Sequence, residues 1–172
     1  MRKLCSYILL TFIVIGFSGC KDNVFKENSG SVSYYLDDKL IESKASDVDI
    51  SVNPNSKGYM EVYFNAYTFV KENGTPGYQN LFMFFHTDDL IGKYVYGQKF
   101  GVSRMGLCND DNAIKCLSSQ TCNDKQFSLT ITSYNQETKT IDGYFDGKVC
   151  TESGNSIYIT KGVIKNALVR FQ

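Results

Sequence analysis

Between Ser31 and Phe171 several segments carry apolar residues at every second position, and no stretch shows the 3.6-residue period of an amphipathic helix. That alternation is the strongest constraint on the fold. Met60, Val62, Phe64 and Ala66 fall on one side of a segment whose other side carries Tyr59, Glu61, Tyr63, Asn65 and Tyr67. Successive side chains of a strand point to opposite faces, so this segment predicts a sheet with one buried face. Phe127, Leu129 and Ile131 alternate with Ser128, Thr130 and Thr132 in the same way. Val32–Leu36 with Lys39–Ile41 reads as an opening hairpin turned at Asp37-Asp38, and Phe127–Ser133 with Thr140–Val149 as a later one. Leu81–Phe85 is apolar at every position and predicts a central strand covered on both sides. Gly162 is expected to break the last strand, and Gly106–Lys125 to form an irregular, cross-linked loop. The sum is an all-β fold: an antiparallel β-sandwich or flattened barrel with a disulfide-bearing loop. Composition agrees, since 12 Tyr and 12 Phe favour strands and supply apolar area for a core.

The first twenty residues carry a different signal. Met1-Arg2-Lys3 is basic, Leu4–Phe17 is almost wholly apolar, and Phe17-Ser18-Gly19-Cys20 closes with small residues before a cysteine. A basic start, a short apolar stretch and a small-residue exit make a secretory signal. Its apolar stretch falls short of the roughly 20 residues that span a bilayer. The ending resembles the lipobox of bacterial lipoproteins, with Phe17 where Leu is commoner. That resemblance implies cleavage before Cys20 and diacylglycerol on its sulfur. The expected organisation is residues 1–19 as lipoprotein signal peptide, 20–30 as lipidated flexible tether, and 31–172 as one β domain. Cys20-Lys21-Asp22 also partly resembles the export signal of surface-exposed Bacteroidetes lipoproteins. The expected address is therefore the bacterial outer membrane, lipid-anchored, on its periplasmic side or at the cell surface.

Loss of residues 1–19 takes Arg2 and Lys3, leaving 16 basic residues against 18 acidic ones, a net charge of −2. With no basic run, nucleic acid is not an expected partner. Four of the six cysteines then remain: Cys108, Cys116, Cys122 and Cys150. An even count in an exported chain reads as two disulfides. A four-thiolate zinc site would show two close pairs, which spacings of 8, 6 and 28 do not. Three pairings are open. The hairpin built on Phe127–Ser133 and Thr140–Val149 brings Cys122 towards Cys150, which leaves Cys108 with Cys116.

Further along the chain, Leu129-Thr130-Ile131-Thr132-Ser133-Tyr134-Asn135, Ile141-Asp142-Gly143-Tyr144-Phe145 and Ile159-Thr160-Lys161-Gly162-Val163-Ile164 resemble a pattern found in small, uncharacterised Bacteroidetes lipoproteins. Asn135 stands for the family's Asp and Ile164 for its Phe. The resemblance covers about a third of the mature chain. It implies a β fold and an address, but no activity and no catalytic residues.

No catalytic residue is assigned, nor any metal or cofactor. His86 is the only histidine, so any triad would need it, and no nucleophile-elbow pattern accompanies it. Asp37-Asp38 and Asp88-Asp89 read as turn residues. Asn109–Asn112 offers oxygen ligands without the spacing of a calcium loop. The stripe Tyr59, Tyr63, Tyr67 is the candidate ligand-binding surface, because tyrosine rings stack on sugars. Half-exposed strands are also simply rich in tyrosine. Two functions follow: a non-catalytic binding module for a glycan or protein ligand, tied to a membrane through Cys20, or a small glycan- or peptide-directed hydrolase using acidic residues.

Overall fold

A computed structural model describes residues 30–43, 48–55, 57–72, 75–98, 101–109 and 116–172. The signal peptide, Cys20 and tether residues 21–29 lie outside the described residues, as do 110–112 of the Asn109–Asn112 segment. Eleven strands follow one another: β1 (Ser31–Leu36), β2 (Lys39–Ser43), β3 (Val48–Pro54), β4 (Met60–Glu72), β5 (Thr75–Thr87), β6 (Gly92–Val95), β7 (Val102–Asn109), β8 (Cys116–Ser118), β9 (Phe127–Asn135), β10 (Thr140–Cys150) and β11 (Ser156–Phe171). A 3-10 turn at Ser119–Thr121 is the one helical element among the described residues.

The strands pair in the order β2-β1-β11-β3-β4-β5-β7-β8-β10-β9-β6, and β10 also pairs with β11. That extra pairing folds the sheet onto itself. One layer is β2-β1-β11-β10-β9-β6 and the other β3-β4-β5-β7-β8, which makes a flattened barrel. Alternate residues of both layers meet in a single core that includes Val62, Phe64, Leu81, Met83 and Phe85 from one side and Val32, Ile141, Phe145, Leu129 and Ile159 from the other. The few polar groups between the layers are satisfied there, as burial demands. Tyr34 Oη donates to Gln79 Oε1 at 3.1 Å, and the Ser43 and Thr68 hydroxyls meet at 2.8 Å.

Local chemistry explains the turns and bends. Asp37 and Asp38 both adopt positive φ (46° and 64°), the combination a two-residue type I′ hairpin needs and that Asp tolerates. Gly30, expected in the tether, is already buried against β11: a Cβ there would lie 2.4 Å from Asn166 O.

Gly162 does not break the last strand. β11 runs unbroken through it, and Gly162 instead makes room for Phe145, whose ring would lie 2.5 Å from an added Cβ. The positive φ of Lys161 (53°) and Asn166 (47°) accompanies irregular register in this long strand. Such irregularities bend a strand. The freed Asn166 N–H donates to Asp142 Oδ1 at 2.8 Å. Past them, Val169–Phe171 leaves its layer and pairs with Ile50–Val52 of β3, in parallel. Among the described residues this is the one parallel pairing in the expected antiparallel sheet.

The opposite corner is held by chemistry rather than by a long ladder. β8 meets β10 at a single pair, Cys150 with Ser118. Cys122–Cys150 crosses beside it, and Thr121 Oγ1 donates to Cys150 O at 2.7 Å. Cys108–Cys116 links β7 to β8. This is the pairing that the hairpin of β9 and β10 implies. Gly106–Lys125 is therefore less irregular than its composition suggests, since β7, β8 and the 3-10 turn occupy much of it.

Candidate functional site

The outer face of the five-stranded layer is set by register. Across β4 and β5, Glu61 lies opposite His86, Tyr63 opposite Phe84, Asn65 opposite Phe82 and Tyr67 opposite Asn80. Across β5 and β7, Phe84 faces Arg104 and Phe82 faces Gly106. All of these point outward, because their neighbours Val62, Phe64, Leu81, Met83 and Phe85 are buried.

Leu81–Phe85 is thus central but not covered on both sides. Phe82 and Phe84 are half-buried on the open face. What shields them is other side chains of that face. Tyr63 packs on Phe84 with ring centroids 4.7 Å apart, Phe84 meets His86 edge-on at 4.8 Å, and Tyr59 meets His86 edge-on at 5.0 Å. Phe82 lies over Gly106, where a Cβ would come within 2.2 Å of the ring, and Arg104 sits 5.1 Å from its centroid. Tilted and edge-to-face contacts at these distances are favourable for aromatic rings.

Of the expected stripe, Tyr59 and Tyr63 join one connected row of rings through His86 and Phe84. Tyr67 stands further along β4, opposite Asn80, and is as exposed as Tyr63, each at 39 %. Phe82, Phe84, His86 and Arg104 are the members that sequence reasoning missed. The available signal was parity: with Leu81, Met83 and Phe85 turned inward, Phe82, Phe84 and His86 must share the face of the tyrosines.

The charges of this face are answered locally. Glu61 accepts from Asn55 Nδ2 at 2.5 Å and from Tyr63 Oη at 3.3 Å. Partial desolvation of the Tyr63 phenol, and then the Glu61 carboxylate, hold its pKa above the ordinary value. Asp49 pairs with Arg170 at the β3–β11 corner. Asn80 Nδ2 donates to Asn65 Oδ1 at 3.3 Å, while Asn80 Oδ1 is buried and has no hydrogen-bond partner.

Asp89 and Asp124, elsewhere, have structural partners. Asp89 Oδ1 accepts from Ile91 N, closing the turn after β5. His86 N donates to Gly101 O. A polar hollow of about 350 Å³ lies beside Cys122–Cys150, with Asp124, Lys148 and Glu152 in its wall. There Lys148 Nζ reaches Asp124 Oδ1 at 2.6 Å and holds that carboxyl below the ordinary aspartate range. An acid kept ionised in this way is a poor proton donor. Among the described residues no group of three or more His, Cys, Asp or Glu is placed to hold a metal ion.

No family model, curated protein or solved structure matches the chain.

Proposed function

We propose that this chain is an exported lipoprotein of the bacterial outer membrane, held by lipid on Cys20, and that its β domain is a non-catalytic binding module. The observation that carries the binding role is the connected row of outward rings on β4 and β5. Rings that would gain from burial are left at the surface, which is how recognition surfaces are built. Two further features support the setting. Two disulfides suit an oxidising compartment. The chain enters the domain at Gly30, on the six-stranded layer, which leaves the aromatic face on the opposite side.

The anchor and the face are tested separately. Cys20→Ser is expected to abolish incorporation of labelled fatty acid and to release the protein from membranes; unchanged retention would remove the lipoprotein assignment. Hydroxyl-radical footprinting compares the chain on cells with the purified full chain. Tyr63, Tyr67 and Phe84 are expected to be protected on cells, and Tyr144 and Tyr158 to be labelled equally in both. Equal labelling of all five overturns the binding face.

A further inference from the structure

We infer that the ligand of this face is an uncharged polysaccharide chain, an inference that rests on the binding role just proposed. The chemistry of the face separates this occupant from others. Its carboxylate and phenol are paired with each other, through Tyr63 and Glu61, and Asp49 is paired with Arg170. Arg104 lies against the Phe82 ring. A polyanion or an anionic membrane surface would require a run of uncommitted cations, and the described residues of this face do not offer one.

The apolar part is a row of rings only two strands wide, Tyr63 with Phe84 and then Phe82, bordered on the same strands by the amides of Asn65 and Asn80. A protein partner of ordinary affinity needs about 800 Å² on each side, with a wide apolar centre and a polar rim. A sugar chain needs something narrower. Its C–H faces stack on rings, and its hydroxyls, each both donor and acceptor, take amide partners beside them. Strands lie about 4.8 Å apart, close to the span of one pyranose ring, so neighbouring rings across β4 and β5 suit adjacent sugar units. Asn80 Oδ1, which has no partner in this structure, gains one when the amide turns towards a sugar hydroxyl.

The test is affinity electrophoresis of the full chain, purified in detergent, through gels carrying hydroxyethyl cellulose, laminarin, galactomannan or glycogen, with polygalacturonate as the anionic comparison. Retardation is expected in a neutral gel and not in polygalacturonate. Tyr63→Ala and Asn80→Ala are expected to weaken it about tenfold, and Tyr144→Ala to leave it within about twofold. Because Tyr63 and Asn80 lie on the open face, retained thermal unfolding checks that the variants fold. In parallel, purified chain is added to envelopes of producing cells first treated with periodate, which cleaves vicinal diols, or with protease. Footprint protection that survives protease and is lost to periodate supports a glycan, even with no gel retarding the chain. Protection lost to protease and kept after periodate overturns the glycan and leaves the binding face standing. Retardation indifferent to Tyr63→Ala, or stronger in polygalacturonate, overturns it also.

Discussion

The two outer surfaces of this barrel are both rich in aromatic rings, and they differ in what most of those rings touch. On the five-stranded layer, rings touch rings: Tyr59, His86, Phe84 and Tyr63 form one connected row. On and around the six-stranded layer three rings lie beside a lysine instead. Lys161 Nζ lies 5.1 Å from the Tyr35 centroid, Lys148 5.6 Å from Tyr158, and Lys125 5.2 Å from Tyr96. Tyr144, 53 % exposed, stands on this side too. A lysine over a tyrosine covers the ring and stays hydrated, so it discourages stacking. A row of mutually packed rings is rigid and open, which is what recognition needs. Aromatic content alone therefore does not mark a binding face; the partner of each ring does.

The largest effect is expected where the two layers are joined. β8 and β10 share one pair, so Cys122–Cys150 carries that corner, whereas Cys108–Cys116 only reinforces β7 and β8, which already pair. Chain-entropy reasoning for separations of 28 and 8 residues gives about 3.6 and about 2.5 kcal/mol. The double variant Cys122→Ser/Cys150→Ser is expected to lose more stability in urea than Cys108→Ser/Cys116→Ser. It should also loosen both faces together in hydrogen exchange. Exchange that rises on one layer alone would show that the corner does not couple them.

A ring set against a glycine occurs both on the inside and on the outside, and one case of each gives the next comparison. Phe145 is buried against Gly162, and Phe82 lies over Gly106 at the surface. Gly162→Ala pushes into a ring with nowhere to go and should cost about 1–3 kcal/mol. Gly106→Ala meets Phe82, which can swing outward, and also Leu117 O at 2.9 Å, which must give slightly. It is expected to cost less in thermal unfolding than Gly162→Ala while reducing protection of Tyr63 in the footprint. The reverse order would mean that Phe82 is held as firmly as a core residue.

How far the sequence carried these conclusions depended on whether the deciding neighbour was local. Alternation at Met60–Tyr67 and Phe127–Thr132 fixes the inward side within one window, and Asp37-Asp38 marks its own turn. The cysteine pairing followed from one hairpin. Leu81–Phe85 has no polar residue, so no alternation shows which side faces water. Phe82 and Phe84 are shielded by Tyr63, Arg104 and Gly106 from other strands, and only register reveals that. Gly162 looks like a break because its reason, the Phe145 ring, lies on another strand. The parallel pairing of Val169–Phe171 with Ile50–Val52 rests on three residues at the end of a bent strand, too short to leave a pattern. Half of the candidate face was legible as a tyrosine stripe, and the half supplied by β5 and β7 was not.

A smaller effect concerns the rings themselves. A double-mutant cycle on Tyr63→Ala and Phe84→Ala is expected to return a coupling of about 0.5–1.5 kcal/mol in chemical denaturation, unchanged by salt. The corresponding cycle on Tyr35 and Lys161 should give a weaker coupling that falls as salt rises, because an exposed cation over a ring is screened. Equal, salt-independent couplings on the two sides would erase the distinction between the faces.

The smallest effect is a pH signature confined to one side. Lys148 serves Asp124 as well as the Tyr158 ring. The hydrogen bond from Lys148 lowers the Asp124 pKa, and the hydrogen bond to Asp124 raises that of Lys148. A carboxyl whose folded pKa is lowered adds stability that is complete above its unfolded value, about 3.9, and fades as pH falls through the lowered one. An amine whose folded pKa is raised adds stability that is complete below its unfolded value, about 10.4, and fades as pH rises through the raised one. The bridge thus contributes across the whole neutral range and is lost at both ends. Asp124→Asn is expected to lower the melting temperature slightly between about pH 5 and 9, and to converge with the parent chain near pH 2. Salt should shrink the gap, as for any exposed pair. Glu61→Gln, on the ring-to-ring face, provides the contrast. Glu61 accepts from Asn55 and Tyr63, neutral donors, so its replacement should show no such salt-dependent gap. A salt-sensitive gap in Glu61→Gln of the same size as in Asp124→Asn would mean that charge organises both faces alike.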